Sequence, residues 1–156
     1  MSDEGKVAAM ERLATARQSA ATMLERDACT RALGIDIEIP EPGQALATMD
    51  VRDDMLNGFG VCHGGVVFVL ADTAFAFACN AYNDETLSAT AAIEWLQPVH
   101  AGERLTAHAR EDERHGRHGF YTVRVCSRED VLVALFRGHS VSRGRPLFAR
   151  DESDTK

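Results

Sequence analysis

The sequence has 156 residues, 45% of them hydrophobic and 26% charged, with a formal net charge of −7. That is about one domain's length with enough apolar content for its own core, and the negative field repels nucleic acid and anionic membrane surfaces, so neither is an expected partner. No apolar run of roughly 7–15 residues follows a basic start at the N-terminus, so no secretory signal is expected and the expected compartment is the cytoplasm.

Within 7–32, Val7, Met10, Leu13, Ala20, Met23, Leu24 and Ala28 recur at helical spacing among Arg and Glu. This predicts one amphipathic helix or two short ones, and residues 1–32 are assigned as an N-terminal helical segment that covers rather than catalyses. Gly34 stops the helix. Ile35, Ile37 and Ile39 then alternate with Asp36 and Glu38 before Pro40, the period-2 pattern of a half-buried strand, and Glu41-Pro42-Gly43 turns the chain into a second strand at 45–51.

Residues 58–65 hold four glycines, Gly58, Gly60, Gly64 and Gly65, which predicts a loop with special backbone demands. From 66 to 79 only Asp72 and Thr73 are not apolar, so this stretch reads as a helix surrounded by protein on nearly every side. It is too short to span a membrane. Strand-like runs follow at 87–96, 104–113, 120–127 and 131–141, punctuated by Pro98, Gly102, Gly116 and Glu129-Asp130. Residues 33–145 form the expected main domain and 146–156 a polar tail, disordered over its wholly polar end, 151–156. Cys29, Cys62, Cys79 and Cys126 occur singly, which predicts reduced, packed thiols rather than a zinc or redox pair.

The element order predicts an α+β fold with an antiparallel sheet wrapped around the apolar helix. The sheet covers one side of that helix, and a second copy of the chain could cover the rest.

Two features carry chemistry. His63-Gly64-Gly65 stands where the apolar helix begins, so free backbone N–H groups of the first turn and the positive end of the helix dipole can face a ligand there. Such a donor aimed at a developing oxyanion lowers a barrier by roughly 3–4 kcal/mol; the alternative is that the glycines serve close packing of a helix start. Asp72 is the second feature, because an ionised carboxylate in an apolar helix is costly unless it has a partner or a function. Eight residues at 1.5 Å rise separate Gly64 from Asp72 by about 12 Å along one helix. If both act on one substrate, Asp72 of one subunit meets Gly64 of another, and a two-fold dimer with two shared sites is the economical solution.

The stretch NGFGVCHGGVVFVLADTAFAFACNAYN, continued by SATAAIEWLQPVHAGERL, resembles the motif of the PaaI branch of hotdog thioesterases, a family linked to phenylacetate catabolism. The resemblance implies a hotdog fold, with an antiparallel sheet wrapped around a long central helix and an additional N-terminal helix. It also implies hydrolysis of acyl-CoA thioesters, with (hydroxy)phenylacetyl-CoA or related aryl or medium-chain acyl-CoA as substrate and no cofactor besides the coenzyme A of the substrate. By the same resemblance Gly64 N–H polarises the thioester carbonyl, Asn57 and His63 shape and hydrogen-bond the site, Asp72 acts as nucleophile or as general base for water, and Thr90 helps hold that water. A tetramer built as a dimer of dimers is implied as well.

Coenzyme A carries phosphates, so Arg114, Arg117, Arg143 and Arg145 are candidates for its nucleotide end. The rival functions are a hotdog enoyl-CoA hydratase or dehydratase and a non-catalytic acyl-CoA-binding module. The Asp-x-Asn-Pro-x-His pattern of one hydratase family is absent, and the set Asn57, Gly64 and Asp72 argues against a mere sensor. A Cys62-His63 thiol nucleophile lacks an orienting third group. His115 and His118 beside Glu113 read as a solvated hairpin tip rather than a metal site.

Overall fold

The computed structural model describes residues 2–149. Two helices open the chain. The first, α1 (Asp3–Leu24), is capped by the Ser2 hydroxyl accepting from Gly5 N–H and carries Asp3 and Glu4 at its positive end. The second, α2 (Ala28–Leu33), starts where the Asp27 carboxylate accepts from the Thr30 N–H at 2.9 Å and hydroxyl at 2.6 Å. It ends at Gly34, whose φ of +67° is the left-handed cap position that glycine takes without strain. Of the two sequence readings for this segment, the pair of helices is the one found, because Asp27 caps a new start.

Six strands follow: β1 (Asp36–Glu38), β2 (Gln44–Asp50), β3 (Thr86–Trp95), β4 (Arg104–His115), β5 (His118–Cys126) and β6 (Leu132–Ser142), with α3 (Gly64–Cys79) between β2 and β3. They form one sheet in the order β1-β2-β4-β5-β6-β3, with every pairing antiparallel. The chain therefore leaves β2 near one edge, crosses the sheet as α3 and returns as β3 on the far edge. This is the arrangement the resemblance implies, a sheet curled around a central helix with helical segments added at the N-terminus.

The core lies between α3 and the concave sheet face, where Leu70, Phe75 and Phe77 of the helix meet Met49, Leu105, Val123, Val125 and Phe136, all almost fully buried. Phe75 packs against Tyr121 and Phe136 with ring centroids 5.3 and 5.7 Å away. Gly138 lies beneath the same ring, and a Cβ there would stand 2.7–2.8 Å from its carbons. Glycine is thus required on β6 for the helix to seat this deeply.

Enclosure of α3 is less complete than the sequence predicts. Val66, Val69, Asp72, Thr73 and Ala76 form a half-buried stripe at helical spacing. Beside it β3 is exposed along nearly its whole length, with Leu87 at 49% and Trp95 at 56% exposure. Among the described residues no further element lies over this flank.

Asn80 joins the end of α3 to the start of β3: its side chain accepts from Thr86 N–H at 2.9 Å and donates to the carbonyls of Ala76 and Thr86. Asn83 accepts from the N–H groups of Leu147 and Phe148, both at 3.0 Å, so the segment expected to begin the polar tail is held against the fold at these residues. The expected disorder of 151–156 lies outside the described residues. Cys62 and Cys79 are buried as expected and every cysteine is free, but Cys29 is exposed, because α2 turns that position outward. Among the described residues no helix is long and apolar enough to cross a membrane.

Candidate active site

The loop ahead of α3 is organised by its own polar groups. The Asn57 side-chain oxygen accepts from the N–H groups of Phe59 (2.9 Å) and Val61 (3.4 Å), while Asn57 N–H donates to Val61 carbonyl at 2.8 Å. Gly60, at φ +74°, makes the reversal. Cys62 N–H then donates to Val99 carbonyl at 2.7 Å and His63 N–H to Met55 carbonyl at 2.8 Å, which anchors the loop to the body of the fold. The Asn57 oxygen is consumed by this turn, so its amide nitrogen is the group left to face a ligand.

His63 is the N-cap of α3. Its Nδ1 accepts from Gly65 N–H at 2.9 Å, and its carbonyl accepts from Val66 and Val67 N–H at 2.8 and 3.3 Å. Accepting at Nδ1 places the proton of the neutral ring on Nε2, an outward donor. Of the four N–H groups in the first turn of α3, three are thereby occupied. Gly64 N–H alone donates to no group among the described residues, at the positive end of the helix dipole. Gly64 lines a cavity of about 370 Å³, together with Asn57, Trp95 and the apolar side chains of Val61, Val67 and Val99. Helix start and donor site are therefore one and the same peptide, and His63 narrows the choice of donor to one.

Asp72 lies two helical turns further on, in the half-buried stripe of α3, with no cation paired to it among the described residues. Burial raises its carboxyl above the ordinary carboxylate range, and the nearby hydroxyl of Ser88 partly offsets the rise by favouring the charged form. Ser88 was not singled out in the sequence. Thr90 is not brought to Asp72. A bulge between Ser88 and Thr90 shifts the register so that Thr90 pairs with His139 and lines a groove with Phe120 and Arg137 on the outer sheet face, while Ser88 pairs with buried Ser140 on the side of α3.

The candidate phosphate-binding arginines separate into two groups. Arg117 and Arg143 line a groove with Ser88, and Arg143 also lies 3.8 Å from the Glu85 carboxylate. Arg114 lies over the Tyr82 ring at 4.1 Å and within 4.0 Å of Glu111, and Arg145 forms a two-point ion pair with Glu85 at 2.5 and 2.8 Å, which holds the Glu85 carboxyl below its usual range.

Cys62 lines the cavity beside Gly64, but burial pushes its thiol up, which keeps it protonated and a poor nucleophile. His115 and His118 pair across the hairpin tip at Gly116, and His118 Nδ1 faces His139 Nε2 at 2.8 Å. Among the described residues no three His, Cys, Asp or Glu side chains are placed to hold a metal ion.

The structure thus joins Asn57, His63 and Gly64 in one half-site and Asp72 with Ser88 in another. Trp95 donates to Gly64, and Ser88 stands near enough to Asp72 to influence its ionisation, so β3 runs alongside α3 and reaches both halves.

The family model described as "Thioesterase superfamily" matches residues 59–134. The chain is 45% identical over 123 residues to the acyl-coenzyme A thioesterase PaaI of Escherichia coli (strain K12), a match that spans 79% of this chain and 88% of that protein. The structure of the E. coli PaaI protein from the phenylacetic acid degradation operon superposes with a TM-score of 0.84 at 42% identity, covering 86% of this chain and 97% of that one. A mutant of the phenylacetic acid degradation protein PaaI from Thermus thermophilus superposes at 0.70 with 36% identity, over 74% and 98% of the two chains.

Proposed function

Because this chain belongs to the thioesterase superfamily, on its PaaI branch, we propose that it hydrolyses acyl-CoA thioesters to the free acid and coenzyme A. Aryl-acetyl thioesters such as (hydroxy)phenylacetyl-CoA are the substrate class, in phenylacetate breakdown. The observation that carries the reading is the pair of half-sites on one uncovered flank: a free N–H at Gly64 and an unpaired, half-buried acid at Asp72.

The thioester carbonyl oxygen accepts from Gly64 N–H, helped by the outward donors of Asn57 and His63, and polarisation makes its carbon electrophilic. Asp72, with Ser88 nearby, takes a proton from water as the hydroxide adds to that carbon. The tetrahedral intermediate collapses with cleavage of the C–S bond, and the departing thiolate of coenzyme A recovers the proton. Burial supports the base role, because raising the carboxyl's proton affinity brings it closer to the pH at which a base works well. Arg117 and Arg143 take the phosphates at the nucleotide end of coenzyme A, since they share a groove with Ser88.

Gly64 and Asp72 of one helix are about 12 Å apart, so each site takes its donor from one chain and its acid from a second. The ten-residue exposed edge of β3 and the α3 stripe beside it supply the surface for a homodimer. Two such dimers form a tetramer, and the protein works in the cytoplasm.

Release of thiol from hydroxyphenylacetyl-CoA is the expected activity, with crotonyl-CoA keeping its enoyl absorbance. Asp72→Ala should lower the hydrolysis rate by about 10³-fold with assembly unchanged in sedimentation. Undiminished release by that variant defeats the assignment, and hydration of crotonyl-CoA by the wild type favours the hydratase.

A further inference from the structure

Trp95, at the end of β3, is the only tryptophan of the chain and is 56% exposed, an unusual place for the largest apolar side chain. Its indole N–H donates to the Gly64 carbonyl at 3.2 Å. Its ring closes over the Gly64 Cα so tightly that a Cβ there would stand 3.1 Å from Nε1 and 3.2 Å from Cε2. It also forms a wall of the cavity that Gly64 lines.

The peptide between Gly64 and Gly65 is therefore held at both ends. His63 Nδ1 takes its N–H at 2.9 Å, and Trp95 takes its carbonyl at 3.2 Å. The same carbonyl accepts from Phe68 N–H in the first turn of α3, but two consecutive glycines have no Cβ to restrict φ and ψ at this frayed end, and the Trp95 bond adds a hold from outside the helix. With that plane fixed on one side and the His63 carbonyl fixed on the other by Val66 and Val67 N–H, the Gly64 N–H has one direction left. Donor direction matters because a hydrogen bond weakens steeply as its angle departs from linearity, and a preorganised donor needs no reorganisation as charge develops.

We propose that Trp95 is a positioning residue for this reaction: clamped on the Gly64 carbonyl and Cα, it aims the Gly64 N–H at the place the thioester oxygen occupies. The inference rests on the thioesterase reading, and its physical content, a clamp on one peptide, is measurable apart from turnover.

The test uses the full-length chain in its native assembly, with Trp95→Phe to remove the donor but keep a ring, and Gly64→Ala to wedge the ring away while keeping the backbone N–H. Trp95→Phe is expected to lower kcat by about 10-fold while KM moves less than about twofold, the split that marks an interaction made in the transition state. Gly64→Ala is expected to cost kcat in the wild-type background and little more in the Trp95→Phe background, because both release the same clamp. Hydrogen exchange of Gly65 N–H should quicken in Trp95→Phe with sedimentation unchanged, whatever the activity. Unaltered exchange, a change in KM alone, or fully additive losses would overturn the proposal. Faster exchange without any thiol release by the wild type upholds the clamp and instead defeats the thioesterase reading.

Discussion

The two edges of the sheet are built on opposite principles. At one edge β1 is three residues long, presents the carboxylates of Asp36 and Glu38, and is followed at once by Pro40; Asp36 lies 3.6 Å from an Arg104 nitrogen, and Arg17 of α1 reaches over to the Ile39 carbonyl. At the other edge β3 runs for ten residues, carries Leu87, Ala89, Ala91, Ala92, Ile93 and Trp95, and is left open. Short length, charge, proline and a helical cover are the devices by which proteins prevent a strand edge from pairing with another chain. All of them protect β1, whereas β3 has one charge, Glu94, near its end and none of the others; it is the less protected edge, and both halves of the candidate site lie along it.

The contrast can be broken from the β3 side. Ala91→Lys places a charge in the middle of the open edge, where the isolated chain leaves the side chain exposed and folding should be unharmed. Sedimentation should show dissociation to a folded monomer, and hydrolysis should drop by about 100-fold or more at micromolar protein. The mirror change on the closed edge, Glu38→Lys, should leave both unchanged; equal effects at the two edges, or none at β3, would end the comparison.

A smaller effect is expected where β6 joins the open edge to the core. Gly138→Ala forces its methyl group against the Phe75 ring and should cost about 1–3 kcal/mol of stability, the range for overpacking a dense core. Chemical denaturation checks this. A neutral outcome would mean that α3 can lift from the sheet, and the flank that holds Asp72 would be less fixed than it is here.

The subtlest probe sharpens the role of β3 as a provider of site groups. Burial raises the Asp72 carboxyl and Ser88 lowers it. In the proposed reaction this carboxylate must be ionised to act as base, so activity should fall as pH drops through its raised pKa, with the acid limb at higher pH than for an exposed aspartate. Ser88→Ala removes the lowering influence and should move that limb further upward. A kcat profile against pH reads the shift, and a limb that stays in place removes Ser88 from the site.

Much of this arrangement was legible in the sequence, and the exceptions share a cause. The apolar run from 66 to 79 with its single acid announced α3, and the glycines announced the entrance, because local composition dictates both. The helix begins two residues earlier than periodicity suggests, since His63 caps it and recruits the glycines into its first turn. Strand positions followed from alternation to within a residue or two. What alternation could not give was the order of strands in the sheet, which depends on pairings between distant segments. Hence β3 could not be recognised as an open edge, nor Trp95 as a neighbour of Gly64 thirty-one residues away. The facing of Thr90 was hidden for a related reason: a one-residue bulge puts Ser88 rather than Thr90 on the helix side of its own chain, and nothing in the local pattern of Ser88-Ala89-Thr90 signals it.

The separation of Gly64 from Asp72 along α3 has a further meaning for the cell that makes this chain. With the shared site proposed above, a newly made, solitary copy would hold a donor with no base and a base with no donor, and would leave the acyl-CoA pool untouched. Hydrolytic capacity would then rise more steeply than the number of chains, since pairs rather than copies would be the working unit. By the law of mass action alone, such an enzyme would be muted when scarce and committed when abundant.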